Sequence, residues 1–246
     1  MFSRRRKPLS IAPTEMRRVL DDRVALWRDL DAAGQDRLLE GCVRFIGGCR
    51  WEGIGMEVDP TAQIVVGAHA ALMTLGFDRD PFSDVSSVVL YPTTIVRRGV
   101  RNLGSGVSSA GPLTIHGETT RGGPVVLVWK AVDTGSRFPE RGRNVAIHEL
   151  AHRLDLVDGV VDGMPPLGGR PAELEWQQTL QAVYAGLIAE IDLFFGRYAT
   201  TNHGELFAVA TERFFTRPTE LMRRYPALYR QLAGFFRQDP SQRRPE

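Results

Sequence analysis

Apolar residues along this chain recur mostly three and four positions apart, the period of one helix face, and gather only twice into short continuous runs that suit strands. Leu20, Val24, Trp27 and Leu30 form one stripe. Leu38, Leu39, Val43 and Ile46 form another after a break at Ala33 and Gly34, so residues 14–46 are expected to be helical. Residues 61–75 follow Pro60 and stop at Gly76, which predicts a buried helix in which His69 reads as a satisfied core histidine. Residues 87–91 and 124–129 are the two strand-like runs, separated by a Gly/Ser-rich stretch at 99–112 that reads as a loop. Further helices are expected from about Asn144, over 171–195 after a Gly/Pro-rich connection at 158–170, and over 202–216. The pattern gives an α+β fold, mostly helical with a small mixed sheet. The expected division is a basic tail at 1–13, one unit over 14–237, and a tail at 238–246. Within the unit, 14–96 is a helical N-terminal part, 113–216 a core and 217–237 C-terminal helices.

The segment Asn144-Val-Ala-Ile-His148-Glu149-Leu-Ala-His152-Arg-Leu-Asp155 carries the HExxH pattern inside an apolar helical frame. At 3.6 residues per turn, histidines four apart leave the helix on one face, close enough to hold one metal ion. Glu149 lies beside them, where a carboxylate can take a proton from a metal-activated water. With 5 His and 14 Glu in 246 residues, chance placement gives roughly 0.006 such motifs, so coincidence is a poor explanation. Two unpartnered imidazoles among Val145, Ala146, Ile147, Leu150, Ala151 and Leu154 would also be costly.

A catalytic zinc needs a third protein ligand and an open position. Asp155 and Asp158 stand where one zincin pattern has a Gly and a distal His, so that pattern fails, although Asp155 could support the site from outside the ligand set. Glu173 opens a helix in its first turn, where acidic residues are favoured anyway. Glu205 and Glu212 fall on one face of the helix at 202–216, at positions where apolar residues would be expected. Glu205 is the preferred candidate, but Asn202 three residues before it also fits a capping box, and Glu212 stays open as a rival ligand or a support.

Composition narrows the classes without choosing one. The chain is 43% hydrophobic and 24% charged with a net charge of +2, which gives no reason to invoke nucleic acid or an anionic membrane. Basic residues cluster at Arg4–Lys7 and at Arg243–Arg244, both read as solvated tails. No apolar stretch follows the first cluster and no 18-residue apolar run occurs anywhere, so the expected address is the cytoplasm. Cys42 and Cys49, seven apart on a helix, would stand about 10 Å apart along its axis, too far for a disulfide.

Three segments carry a resemblance: 142–159 around the motif, Gly123-Pro-Val-Val-Leu-Val-Trp129, and Thr201-Asn-His-Gly-Glu-Leu-Phe-Ala208. They are similar to the Mlc titration factor A family of bacterial zinc peptidases, as are residues 62–76 and Val88-Val-Leu-Tyr-Pro92. The likeness spans most of residues 14–237. The catalytic part also resembles the peptidase domain of anthrax lethal factor, in which Tyr-Ala-x-Thr-Asn-x-x-Glu carries a tyrosine and a glutamate ligand; those positions correspond to Tyr198 and Glu205. The resemblance implies a zincin-like peptidase with one Zn2+ per chain held by His148, His152 and Glu205. Glu149 would then be the general base and Tyr198 the donor to the oxyanion, acting on a peptide or protein substrate. It also implies a second role, sequestering a glucose-responsive transcriptional repressor. Residues 117–120, Gly-Glu-Thr-Thr, depart from the family's Gly-Glu-Ala-Trp, which bears on substrate preference.

Overall fold

A computed structural model describes residues 11–93 and 123–243. The basic opening, the Gly/Ser-rich stretch at 99–112, the departure at 117–120 and Arg244 therefore lie outside the described residues.

The first expected helical region is three pieces, α1 (Pro13–Arg23), α2 (Ala25–Arg28) and α3 (Ala32–Gly48). Its break lies earlier than Ala33-Gly34. Asp31 is the N-cap of α3, its carboxylate accepting from Gly34 N–H at 2.7 Å, so Gly34 belongs to the first turn. Helix α4 (Pro60–Thr74) starts the same way, with Asp59 accepting from Ala62 N–H at 2.7 Å and Pro60 in its first turn. Every residue from Ile64 to Met73 is buried, and the helix packs against α1, α3 and two helices nearer the motif. Neither Cys42 nor Cys49 is in a disulfide.

The sheet has three strands, β1 (Arg50–Gly53), β2 (Ser87–Tyr91) and β3 (Val125–Val128), in that spatial order. It is parallel throughout, where a mixed sheet was expected. Strand β1 was not expected because Arg-Trp-Glu-Gly carries no apolar run. The register sets Val88 against Val125 and Leu90 against Leu127, so four buried side chains share one face.

Helix α5 (Trp129–Arg137) follows β3 directly, and the motif helix α6 (Val145–Asp155) comes after a 3-10 turn at Pro139–Arg141. Helix α7 (Arg170–Ala189) ends six residues before the expected limit. There Asp192 accepts from Phe194 N–H at 2.8 Å, turning the chain so that Phe194 and Phe195 enter the core. Helix α8 (His203–Thr216) is buried from Gly204 to Thr216 and packs against α6, α7 and the 3-10 turn at Arg197–Thr200. Helices α9 (Pro218–Arg224) and α10 (Pro226–Phe236) complete the helical layer.

One apolar cluster runs from Met16 to Phe236. The chain stays anchored past residue 237, because Gln238 donates to the carbonyls of Leu72 and Met73 at 3.1 and 3.2 Å. No described helix is long and apolar enough to cross a membrane.

Candidate metal centre

Helices α6 and α8 lie side by side, and each is fixed at its start by an asparagine. Asn144 Oδ1 accepts from Ile147 N–H at 3.1 Å, and Asn202 Oδ1 accepts from Glu205 N–H at 2.8 Å. Asn202 caps the helix, and the Glu205 carboxylate turns to the histidines.

The imidazoles of His148 and His152 stand edge to face, ring centroids 4.8 Å apart. Their Nε2 atoms are 3.2 Å apart, and Glu205 Oε2 lies 3.2 Å from the first and 3.3 Å from the second. Zinc takes nitrogen and oxygen donors at about 2.0–2.2 Å in a tetrahedron, which requires neighbouring donors to stand about 3.3–3.6 Å apart. The observed triangle is nearly one face of that tetrahedron. His148, His152 and Glu205 thus fit a small divalent cation, with the fourth direction left for another ligand.

The two carboxylates that share a face of α8 are separated by what they touch. Glu212 is directed away from the triangle, with Oε1 2.8 Å from His148 Nδ1 and Oε2 accepting from Asn144 N–H at 2.6 Å. A carboxylate only accepts, so His148 Nδ1 carries a proton towards Glu212, and Nε2 is the nitrogen that faces the triangle, where a cation would displace its proton and take the lone pair. Burial pulls the His148 pKa down, but hydrogen bonds to Glu205 and Glu212 outweigh it and raise it to about 10. For Glu205, burial works upward, and hydrogen bonds from His148 and His152 outweigh it, holding the carboxyl far below the usual range. Such a cluster already balances charge around a proton that a cation can replace.

Glu149 follows His148 in α6, and burial raises its carboxyl above the usual range against the opposing charge of His148 and His152. Tyr198 sits on the turn at Arg197–Thr200, its ring tilted 38° to the His148 ring at 5.8 Å between centroids. The Tyr184 hydroxyl donates to Thr200 O at 3.0 Å and holds that turn. Asp155 closes α6 facing the next loop, where its Oδ2 accepts from Gly163 N–H at 2.9 Å; burial lifts its pKa to about 6. Gly163 has φ +81°, and a Cβ there would come within 2.5 Å of His203 O, so only glycine lets the loop lie this close to the start of α8. Asp158 accepts from Val160 N–H in a surface turn, and Glu173 remains in the first turn of α7; neither joins the triangle.

The sequence reading missed the part Asn144 plays. An asparagine just ahead of an apolar helix is a cap signal, but its link to Glu212, 68 residues on, has no local trace.

A profile of the family described as glucose-regulated metallo-peptidase M90 matches residues 2–237. The chain belongs to this family. Mlc titration factor A of Edwardsiella ictaluri is 33% identical over 195 residues, covering 76% of this chain and 74% of the relative. The Salmonella typhi protein of the same name is 33% identical over 236 residues, covering 91% and 87%. An uncharacterised Synechocystis protein is 26% identical over 234 residues, covering 93% and 85%. This M90 metallopeptidase-family chain therefore has its three candidate metal donors on two packed helices, α6 and α8, both inside the matched region.

Proposed function

We propose that the protein is a zinc-dependent peptidase whose metal is held by His148, His152 and Glu205. The observation that carries this reading is the triangle of donors at 3.2, 3.2 and 3.3 Å, supported by family membership. Two imidazoles and one carboxylate form a donor set that zinc peptidases use. Bound there, zinc would supply Lewis acidity, polarising a peptide carbonyl and making water acidic enough to attack it near neutral pH.

The chain's own groups then do the rest. Glu149 accepts the proton released by the attacking water and delivers it to the leaving amine, a transfer typically worth 10² to 10⁴ in rate. Tyr198 donates its hydroxyl hydrogen to the oxygen that gains negative charge. Glu212 keeps His148 in the tautomer whose Nε2 is free to ligate. Among the described residues β3 pairs with β2 alone, and it packs against α6, so its outer edge is where an extended substrate backbone would align.

A second reading has its own support: relatives across most of the chain are named for titrating Mlc. In that reading the chain binds a transcriptional repressor, and hydrolysis is secondary. Elemental analysis with a peptide-library cleavage screen tests the first reading. One zinc per chain, lost in the His148→Ala/His152→Ala double variant together with cleavage, is expected. Undiminished zinc in the double variant overturns it.

A further inference from the structure

We propose that His69 is a positioning residue for the metal centre, acting by locking the orientation of the Asn144 side chain. The proposal rests on the metal-site reading above. His69 lies in the middle of α4 with none of its surface exposed. Its Nδ1 is 2.7 Å from the Val65 carbonyl one turn earlier, and a carbonyl only accepts, so Nδ1 carries the ring proton. Nε2 is left as a lone pair. It stands 2.8 Å from Asn144 Nδ2.

That lone pair decides which way the amide faces. With Nδ2 on His69, Asn144 Oδ1 falls against Ile147 N–H and caps α6. The flipped amide would set oxygen against the His69 lone pair and NH2 against the Ile147 N–H, two like-for-like contacts among buried groups. The backbone of the same residue donates to Glu212 Oε2, and Glu212 Oε1 takes the proton of His148 Nδ1. Asn144 therefore ties α4, α6 and α8 together, and His69 is the buried end of a continuous hydrogen-bonded path to a proposed zinc ligand. Helix α5 holds the segment from its other side. A Cβ on Gly135 would come within 2.6 Å of Arg143 O and 3.0 Å of Asn144 Cα, so the backbone at the cap has little room to shift.

A core histidine needs only to satisfy its own two nitrogens, and its replacement would act on stability alone. A lock must also be felt at the metal. Zinc affinity, measured by chelator competition on the full chain, is expected to fall about tenfold in His69→Leu, the lower end of what partners outside the ligand set contribute. His69→Gln, whose amide oxygen can reach the Nε2 position, is expected to recover most of the loss. His69→Leu/Asn144→Ala should bind no more weakly than Asn144→Ala, because the lock has nothing left to orient. Equal affinity in the parent and His69→Leu, or additive losses in the double variant, would overturn the proposal. A long-range 1H–15N spectrum of the parent tests the lock itself, with protonation at Nδ1 expected and protonation at Nε2 fatal to it, even if His69→Leu fails to fold. A parent chain that binds no zinc overturns the metal reading instead, and the tautomer measurement then still decides the lock.

Discussion

Replacing Glu212 by Gln separates its shape from its charge and tests how the centre is held together. The native carboxylate accepts twice, from Asn144 N–H at 2.6 Å and from His148 Nδ1–H at 2.8 Å. A glutamine has one oxygen. The Asn144 main-chain donor cannot change, so the amide oxygen is expected to stay on it, leaving NH2 against His148. Imidazole can answer only by moving its proton to Nε2, which puts a hydrogen where the triangle needs a lone pair. Removing a partner of a metal-bound histidine typically costs 10- to 100-fold in metal affinity, about 1.4 to 2.7 kcal/mol, and the tautomer shift places this variant at the upper end. The fold should survive, because both residues fill the same volume and the cap at Asn144 is kept. Zinc affinity by chelator competition, with thermal unfolding of the metal-free protein as control, reads both quantities. Glu212→Gln binding zinc within twofold of the parent would refute the reasoning, and Glu212 would then be a helix tether with no part in the centre.

Tyr198→Phe should keep its zinc and lower kcat for peptide cleavage, by as much as about 10² to 10³ if the hydroxyl reaches the oxyanion; an unchanged rate would make the tyrosine a packing residue. Burial holds the His69 pKa down to about 4 from an ordinary 6.5, so the unfolded chain binds this proton more readily. Stability is therefore lost as pH falls from about 6.5 to about 4, by up to about 3 kcal/mol. Urea unfolding across that window should show a shallower fall in His69→Gln, and identical slopes would refute it. Phe214→Ala removes a buried ring that packs on Tyr229, Phe215 and Phe236 and should cost about 3–5 kcal/mol in the same assay; a loss under about 1 kcal/mol would contradict the packing described.

Helices α6 and α8 were legible because each combines an apolar period with an asparagine cap, both local signals, and the i, i+4 histidines followed from helix geometry alone. Helix period alone did not separate Glu205 from Glu212, since both lie on one face; only the family resemblance ranked Glu205 first, and the packing of α8 against α6 turns Glu205 to the triangle and Glu212 to His148 Nδ1. Strand β1 escaped because a four-residue polar edge strand carries no period. The stop of α7 escaped because Asp192 ends it through a turn whose value lies in burying Phe194 and Phe195. His69 read correctly as a satisfied core residue, but its partner Asn144 is 75 residues away, and nothing in the intervening sequence points to it.

The central claim is that this site hydrolyses peptide bonds with Glu149 as the base. The most direct measurement compares the parent and Glu149→Gln, each assayed for zinc content and for cleavage of a peptide library under the same conditions. Both should carry one zinc per chain, and only the parent should cleave. Cleavage at the parent rate by Glu149→Gln, or a zinc-loaded parent that cleaves nothing, would contradict the claim.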